Sequence, residues 1–266
     1  MSFKHKLLSF LVLVFFAFGG NSQPAKAQQT ERLIDLTHAF NDSTIFWPTA
    51  APFELHKDTE GMTEDGYFYS SYSFSMAEHG GTHIDAPYHF FKGGKSVDEL
   101  PLSQLRGSGL VIDVSDSALA NPDYQITVDD LKAWEEQHGR IPDGSIVLLK
   151  TGYGQFWPKK IKYLGTAERG KEGISKLHFP GLHPDAARWI SEERNIKMIG
   201  LDTASIDYGQ SELFKSHRTL MKHGIPALEN VANLDQLPSS GFTIIALPIK
   251  TEGGSGGPVR IIARLK

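Results

Sequence analysis

The twelve residues HGGTHIDAPYHF, positions 79–90, constrain this chain more than any other stretch of it. A regular helix is excluded there. Gly80 and Gly81 lose too much backbone entropy in a helix, and Pro87 lacks a donor and clashes with the preceding turn. The segment must run extended, looped, or both. On an extended backbone side chains alternate, so His83 and Asp85 project to one side. The paired glycines let the chain turn tightly enough to bring His79 beside them. Three of the eleven histidines in 266 residues fall within these twelve positions. A polar loop with scattered histidines is the plain alternative.

The chain contains no cysteine. Any metal must therefore be held by imidazole, carboxylate or other oxygen groups, and cysteine nucleophiles are excluded. Neutral imidazole beside carboxylate suits zinc or manganese. A rival reading starts from HGG at 79–81, which resembles the oxyanion loop of esterases, and from GGSGG at 253–257, a literal G-x-S-x-G with Ser255 as its nucleophile. Chain order rejects it. Only PVRIIARLK follows Gly257, and it holds no Asp, Glu or His to complete a triad. The run after Ser255 also looks like a strand, whereas a nucleophile elbow leads into a helix.

The first residues read as a leader. Lys4 and Lys6 precede the apolar run LLSFLVLVFFAFGG, and AKA closes at Ala27. This is the arrangement of a secretory signal peptide, with a core too short for a comfortable membrane span; an uncleaved N-terminal anchor is the alternative. Cleavage at Ala27 would leave residues 28–266 as one domain, exported to the periplasm or secreted. It would also remove three lysines and no acid, which takes the net charge from −4 to −7. No basic cluster interleaved with aromatics is present, so nucleic acid is not an expected partner.

Beyond the leader, strands and helices mix. Residues 32–40, 109–115, 145–152 and 197–203 read as strands. Residues 67–76 alternate as a half-buried strand, with Tyr72, Phe74 and Met76 to one side and Ser71, Ser73 and Ser75 to the other. Residues 242–250 and 258–265 read as a closing strand pair. Helices are expected at 127–139, opened by a Thr127/Asp130 capping box and stopped by Gly139, at 183–195 with Pro184 in the first turn, and at 210–224. The polar stretch 159–173 reads as a solvated, mobile insertion. The mix supports one α/β domain.

A metal site needs ligands beyond one segment. His217, on the third helix, and Glu229, twelve residues later, are available, but their chemistry alone would not select either. HGGTHIDAPYHF, however, resembles the H-x-G-T-H-x-D-x-P-x-H pattern of the cyclase family of metal-dependent hydrolases, which includes bacterial kynurenine formamidase and isatin hydrolase. FWPTAAPF (46–53), HFPGLHPDAARWI (178–190), GLDTASID (200–207), HRTLMKHGIPALENVANLDQLP (217–238) and GGSGGPVRIIA (253–263) are similar to further family segments. The resemblance implies a swivelling β/β/α fold with a barrel-like mixed sheet flanked by helices. It implies His79, His83 and Asp85 as ligands of one divalent metal, zinc or manganese. His217 and Glu229 would hold a second, bridged by Asp85, so that each chain binds one or two ions. It implies His89 in proton transfer and a metal-activated water attacking the carbonyl of a small amide or cyclic amide, arylformamidase-like; the exported leader favours a different small amide, imide or lactone over N-formylkynurenine, whose hydrolysis is cytoplasmic work. Phe46 and Trp47 are candidates to stack on an aromatic substrate, although core packing explains them equally well. A homodimer or homotetramer is implied too. The alternative is a non-catalytic metal or small-ligand binding protein on the same fold. That protein could dispense with His89, which this chain keeps.

Overall fold

The computed structural model describes residues 31–265. The leader read at 1–27 lies outside the described residues. In chain order the strands are β1 (Arg32–Asp35), β2 (Glu54–Met62), β3 (Phe68–Ser75), β4 (His83–Asp85), β5 (Arg106–Asp113), β6 (Gln125–Ile126), β7 (Ser145–Lys150), β8 (Gly181–Leu182), β9 (Met198–Leu201), β10 (Ala227–Glu229), β11 (Phe242–Pro248) and β12 (Gly256–Leu265). The helices are α1 (Ser115–Ala120), α2 (Val128–His138), α3 (Lys160–Leu164), α4 (Gly170–Ile174), α5 (Pro184–Glu193) and α6 (Lys215–Lys222).

Seven strands close into a ring, β12-β11-β5-β7-β9-β10-β4 and back to β12. β5, β7, β9 and β10 run parallel, and the remaining pairings of the ring are antiparallel. The parallel core follows from sequence: SIVLLK and MIGL are continuous apolar runs that can be covered on both faces. Alternation sorts their side chains between two cores. Ile146, Leu148 and Met198 point into the ring, where one cluster draws on all seven ring strands and no α-helix. Val147, Leu149, Ile199 and Leu201 point outward beneath α2, α5 and α6. Each fully buried aliphatic side chain contributes roughly 1.5–3 kcal/mol. The ring is thus a filled barrel clad on one side by helices, the single α/β domain expected.

The same alternation decides where β4 and β10 aim. Ile84 and Leu228 join the interior cluster. Their neighbours His83, Asp85 and Glu229 must therefore face outward, toward α6.

Most expected elements form, with α2 opened by the Thr127–Asp130 capping box and ended at Gly139. Four readings need correction. The strand expected over 32–40 ends at Asp35. Residues 67–76 do alternate, but β3 pairs only with β2 in a separate hairpin and is exposed along nearly its whole length, not half-buried. The helix expected from 210 begins at Lys215, because the Asp207 carboxylate accepts the backbone N–H groups of Ser216 and His217 and fixes the start there. Residues 159–173 are not a solvated loop. They form α3 and α4, and Tyr163 is fully buried, its hydroxyl 2.8 Å from Oδ1 of Asn230.

Candidate metal centre

The antiparallel pairing of β4 with β10 sets Glu229 directly opposite His83, and β12 sets Gly256 opposite Asp85. Gly256 has to be small: a Cβ there would lie 2.7 Å from the His79 ring. Gly80 and Gly81 bring His79 round, and they too lack room. A Cβ on Gly80 would lie inside the Phe46 ring, and Gly81 takes a φ of +58° against Phe40. A short 3₁₀ turn, Pro87–His89, then carries His89 back over the cluster, with its ring stacked on His79 at 3.7 Å. α6 lays His217 across the top.

The five sequence-selected ligand residues converge. Asp85 Oδ1 lies 2.6 Å from His79 Nδ1 and 3.2 Å from His83 Nε2, and Oδ2 lies 3.0 Å from His217 Nε2. Glu229 reaches His217 Nε2 at 3.1 Å and His83 Nε2 at 3.4 Å. His83, Asp85, His217 and Glu229 are all buried.

Whether this set fits a cation can be tested on proton positions. His83 Nδ1 donates to the Gly81 carbonyl at 3.0 Å, and His217 Nδ1 donates to Asp207 at 2.7 Å. Each ring's remaining nitrogen, Nε2, then presents a lone pair. His79 is fixed the same way from its other side. Glu78 accepts the Ser255 hydroxyl at 2.6 Å, so His79 Nε2 donates to Ser255 Oγ at 2.8 Å, and Nδ1 presents the lone pair. Three lone pairs therefore face two buried carboxylates, acceptor against acceptor. Only positive charge between them satisfies that arrangement, either as protons on the rings or as a metal ion. Partners on the far ring nitrogens are what imidazole ligands characteristically have. The residues fit a divalent cation.

The proton affinities say the same thing. Burial pulls His83 down, yet the Asp85 and Glu229 carboxylates more than offset it and hold the ring at about 9. His217 is likewise buried, and its contacts with Asp207, Asp85 and Glu229 hold it well above the usual imidazole value. Burial pushes Asp85 up, but the surrounding imidazoles bring it well below the ordinary carboxylate range. Glu229 is pushed up by burial and by Asp85. His89 differs. Burial dominates and lowers it to about 4, so it is neutral at physiological pH with a lone pair to offer.

Beside the cluster opens a cavity of about 290 Å³. His79, His83, Asp85, His89, His217 and Glu229 form its polar end. Phe46 and Trp47 stand in its wall, as do Phe90 and Phe214, which the sequence reading missed. Phe214 sits at φ +46°, a conformation rare for a bulky side chain. Asp207 and Asn230 were missed as well. Asn230 donates to the Gly81 carbonyl at 2.7 Å, the same oxygen that orients His83. Only the segments containing them were visible beforehand, in GLDTASID and ALEN.

Ser255, His79 and Asp85 do form a hydroxyl–imidazole–carboxylate chain. Its polarity is wrong for a nucleophile, since Glu78 takes the hydroxyl proton. β12 begins at once after Ser255, as the chain-order argument expected.

The model of the Cyclase family, described as "Putative cyclase", matches residues 34–208. The isatin hydrolase of Roseibium aggregatum is 34% identical, covering 79% of this chain and 80% of its own. A kynurenine formamidase of Bacillus cereus is 30% identical, covering 89% of this chain and 99% of its own. Among solved structures, isatin hydrolase A from Labrenzia aggregata, bound to benzyl benzoate, superimposes with a TM-score of 0.79 at 35% identity. It covers 88% of this chain and 94% of that one. An isatin hydrolase bound to the product analogue thioisatinate gives 0.79 at 30% identity, covering 88% and 92%.

Proposed function

The chain belongs to the Cyclase family, and from that membership we propose that it is a metal-dependent hydrolase of a small amide or cyclic amide, acting on a non-peptide carbon–nitrogen bond. One observation carries this reading. Three oriented imidazole lone pairs and two buried carboxylates meet at the polar end of a cavity walled by aromatic rings.

His79, His83 and Asp85 would hold one divalent ion, zinc or manganese, and His217 and Glu229 would complete the site or, together with Asp85, hold a second. Such an ion supplies Lewis acidity, which makes water a nucleophile at neutral pH and polarises a carbonyl. The chain's own residues do the rest. His89 is neutral and stands at the cavity wall, so it takes the proton as water adds and returns it to the leaving nitrogen. Asp207, Gly81 and the Glu78–Ser255 pair keep the ligand rings turned inward. Phe46, Trp47, Phe90 and Phe214 exclude water and offer faces to a planar substrate ring. The arylformamidase-like preference rests on the named activities of the relatives together with this aromatic wall.

The test is a purified protein assayed for bound metal, and for turnover of formyl-anilides, cyclic imides and lactones with and without chelator. Chelator-sensitive turnover of an aromatic amide supports the reading. Full turnover after complete metal removal overturns it. A fully metal-loaded protein inert to the whole panel would return the chain to the binding-protein alternative. We also read the chain as exported after cleavage near Ala27, which the N-terminal mass of the protein recovered from its host would check.

A further inference from the structure

Beside the cavity lies a second concavity that the chemistry described so far does not use. It is an open recess, and it meets the cavity at His89 and Phe90, which line both. Its other walls include Tyr88, Lys92, Arg218 and Ser255, and no carboxylate lines it. Glu78 stands behind Ser255, where it accepts that residue's N–H at 3.1 Å and its hydroxyl at 2.6 Å. The chain as a whole carries a net charge of −4, so a recess bordered by two cations and no acid runs against the average.

The backbone sets both cations in place, and both side chains are free. Arg218 follows His217 on α6, and its N–H bonds the Phe214 carbonyl at 3.0 Å. Lys92 lies in the loop after β4. Three backbone bonds close that loop: Tyr88 N–H to the Lys95 carbonyl at 3.0 Å, Phe91 N–H to Pro87 at 3.0 Å and Gly94 N–H to Phe91 at 2.8 Å. Gly94 packs so tightly there that a Cβ would lie 2.5 Å from the Pro87 carbonyl carbon. Arg140, Arg169, Arg188, Arg194, Arg260 and Arg264 each bond a carboxylate or carbonyl oxygen, whereas among the described residues Arg218 and Lys92 have no side-chain partner. One unpaired surface lysine is ordinary. A guanidinium and an ammonium bordering one recess make a place for an anion.

We propose that Lys92 and Arg218 form an anion subsite, which selects planar amide substrates whose ring bears a negatively charged group such as a carboxylate. This deepens the hydrolase reading and rests on it. The Phe90 ring lies 4.6 Å from that of His217 and 4.4 Å from that of His89. A substrate ring held against Phe90 is therefore within reach of both the ligand cluster and the recess. The guanidinium can fork onto a carboxylate through two N–H bonds, and the ammonium adds a point charge. Neither cation lines the cavity in which the carbonyl would react, so the pair acts on binding more than on the chemical step.

The test uses metal-loaded protein and three formyl-anilides of matched size, with a para arm ending in sulfonate, methyl sulfone or trimethylammonium. Sulfonate carries the negative charge but competes weakly for metal. It is expected to exceed the sulfone about tenfold in kcat/KM, through KM, with the trimethylammonium compound poorest. The preference should shrink as salt is raised. Arg218→Gln should lower the sulfonate-to-sulfone ratio about tenfold and Lys92→Gln about threefold. Arg218→Glu should reverse the order and favour the trimethylammonium compound, a gain that misfolding cannot produce. Lys132→Gln removes an exposed charge from α2 and should leave the ratio where it was. Equal kcat/KM for the three compounds, a sulfonate preference that survives Arg218→Gln, or one lost equally in Lys132→Gln would each overturn the subsite. Should none of the three be hydrolysed, the amide reading fails on this panel and calorimetry decides the subsite. Toluenesulfonate should then bind about tenfold tighter than methyl tolyl sulfone, and lose that margin in Arg218→Gln; equal binding of the two overturns the proposal.

Discussion

Two buried aspartates, Asp85 and Asp202, solve the same problem in opposite ways. Both follow or end a ring strand and both are almost completely shielded from water. Around Asp202 the chain supplies its own donors: Thr151 N–H at 2.8 Å, the Thr151 hydroxyl at 2.7 Å, Gly152 N–H at 3.0 Å and Gly154 N–H at 3.2 Å. The carboxylate is saturated, and the strand β9 is tied to the loop after β7. Around Asp85 the chain supplies imidazoles whose outer nitrogens are already committed, so that lone pairs face the carboxylate. One aspartate is closed; the other is open to a cation. Burial and residue type are the same, and what separates structure from chemistry is the identity of the groups facing the oxygens. A buried charge left unpaired is costly, so an open arrangement persists only where something else completes it.

The largest expected effect falls on the open site. Asp85→Asn should lower kcat/KM by about a thousandfold or more and abolish the rise in melting temperature that added metal gives the unmodified protein. Retained metal stabilisation in that variant would break the contrast. Next, His89→Ala should lower kcat by about a hundredfold to ten-thousandfold while metal content stays at the unmodified level. Lost metal would instead make His89 a ligand. The closed site should respond in stability. Asp202→Ala strands four donors and should cost about 3 kcal/mol in chemical denaturation, with metal binding intact in the folded fraction.

The smallest effect sharpens the comparison most, because the two aspartates should show opposite signs with pH in metal-free protein. Burial, the largest influence on Asp202, raises its carboxyl above the usual value despite the donors. Its ionisation therefore opposes folding as pH rises, and the stability gap between the protein and Asp202→Asn should widen on acidification from pH 7 toward 4. Asp85 is pushed up by burial but held well below its usual value by the surrounding imidazoles. Its contribution is complete above the unfolded carboxylate value and is lost progressively as pH falls from there toward the lower value it has in the fold. The gap to Asp85→Asn should accordingly narrow below about pH 4, by on the order of 1 kcal/mol per unit of pKa difference. Urea melts across that range give both signs.

Much of this was legible in the chain itself, and the physics explains which parts. His83 and Asp85 could be placed on one face because strand alternation is local. α2 could be bounded because its cap and stop lie within a few residues of it. β10 was not legible as a strand, since three residues carry no periodicity, and neither was its pairing with β4, which joins residues 83 and 229. The exposed face of β3 was misread for a related reason: alternation marks two faces but does not say that anything covers them. Tyr163 was hidden in a run of lysines, where its burial depends on Asn230 far along the chain. His217 and Glu229 needed the family resemblance, because nothing nearby in sequence distinguishes a ligand histidine from any other on a helix. Asp207 and Asn230 act on rings and carbonyls distant in sequence, and only the folded geometry reveals them.

The ring that carries the site is closed by β12, the last strand in chain order among the described residues. β12 pairs with β11 along one edge, and along the other with both β1 and β4, so residues 32–35 wait for residues 262–265. Pairings this far apart are slow to find. Until β12 arrives, one side of β4 is an unpaired strand edge, and His79 lacks the Ser255 hydroxyl that turns its ring. The pairing that closes the barrel is thus the same one that turns the His79 ring toward Asp85, so the candidate site and the ring are completed together.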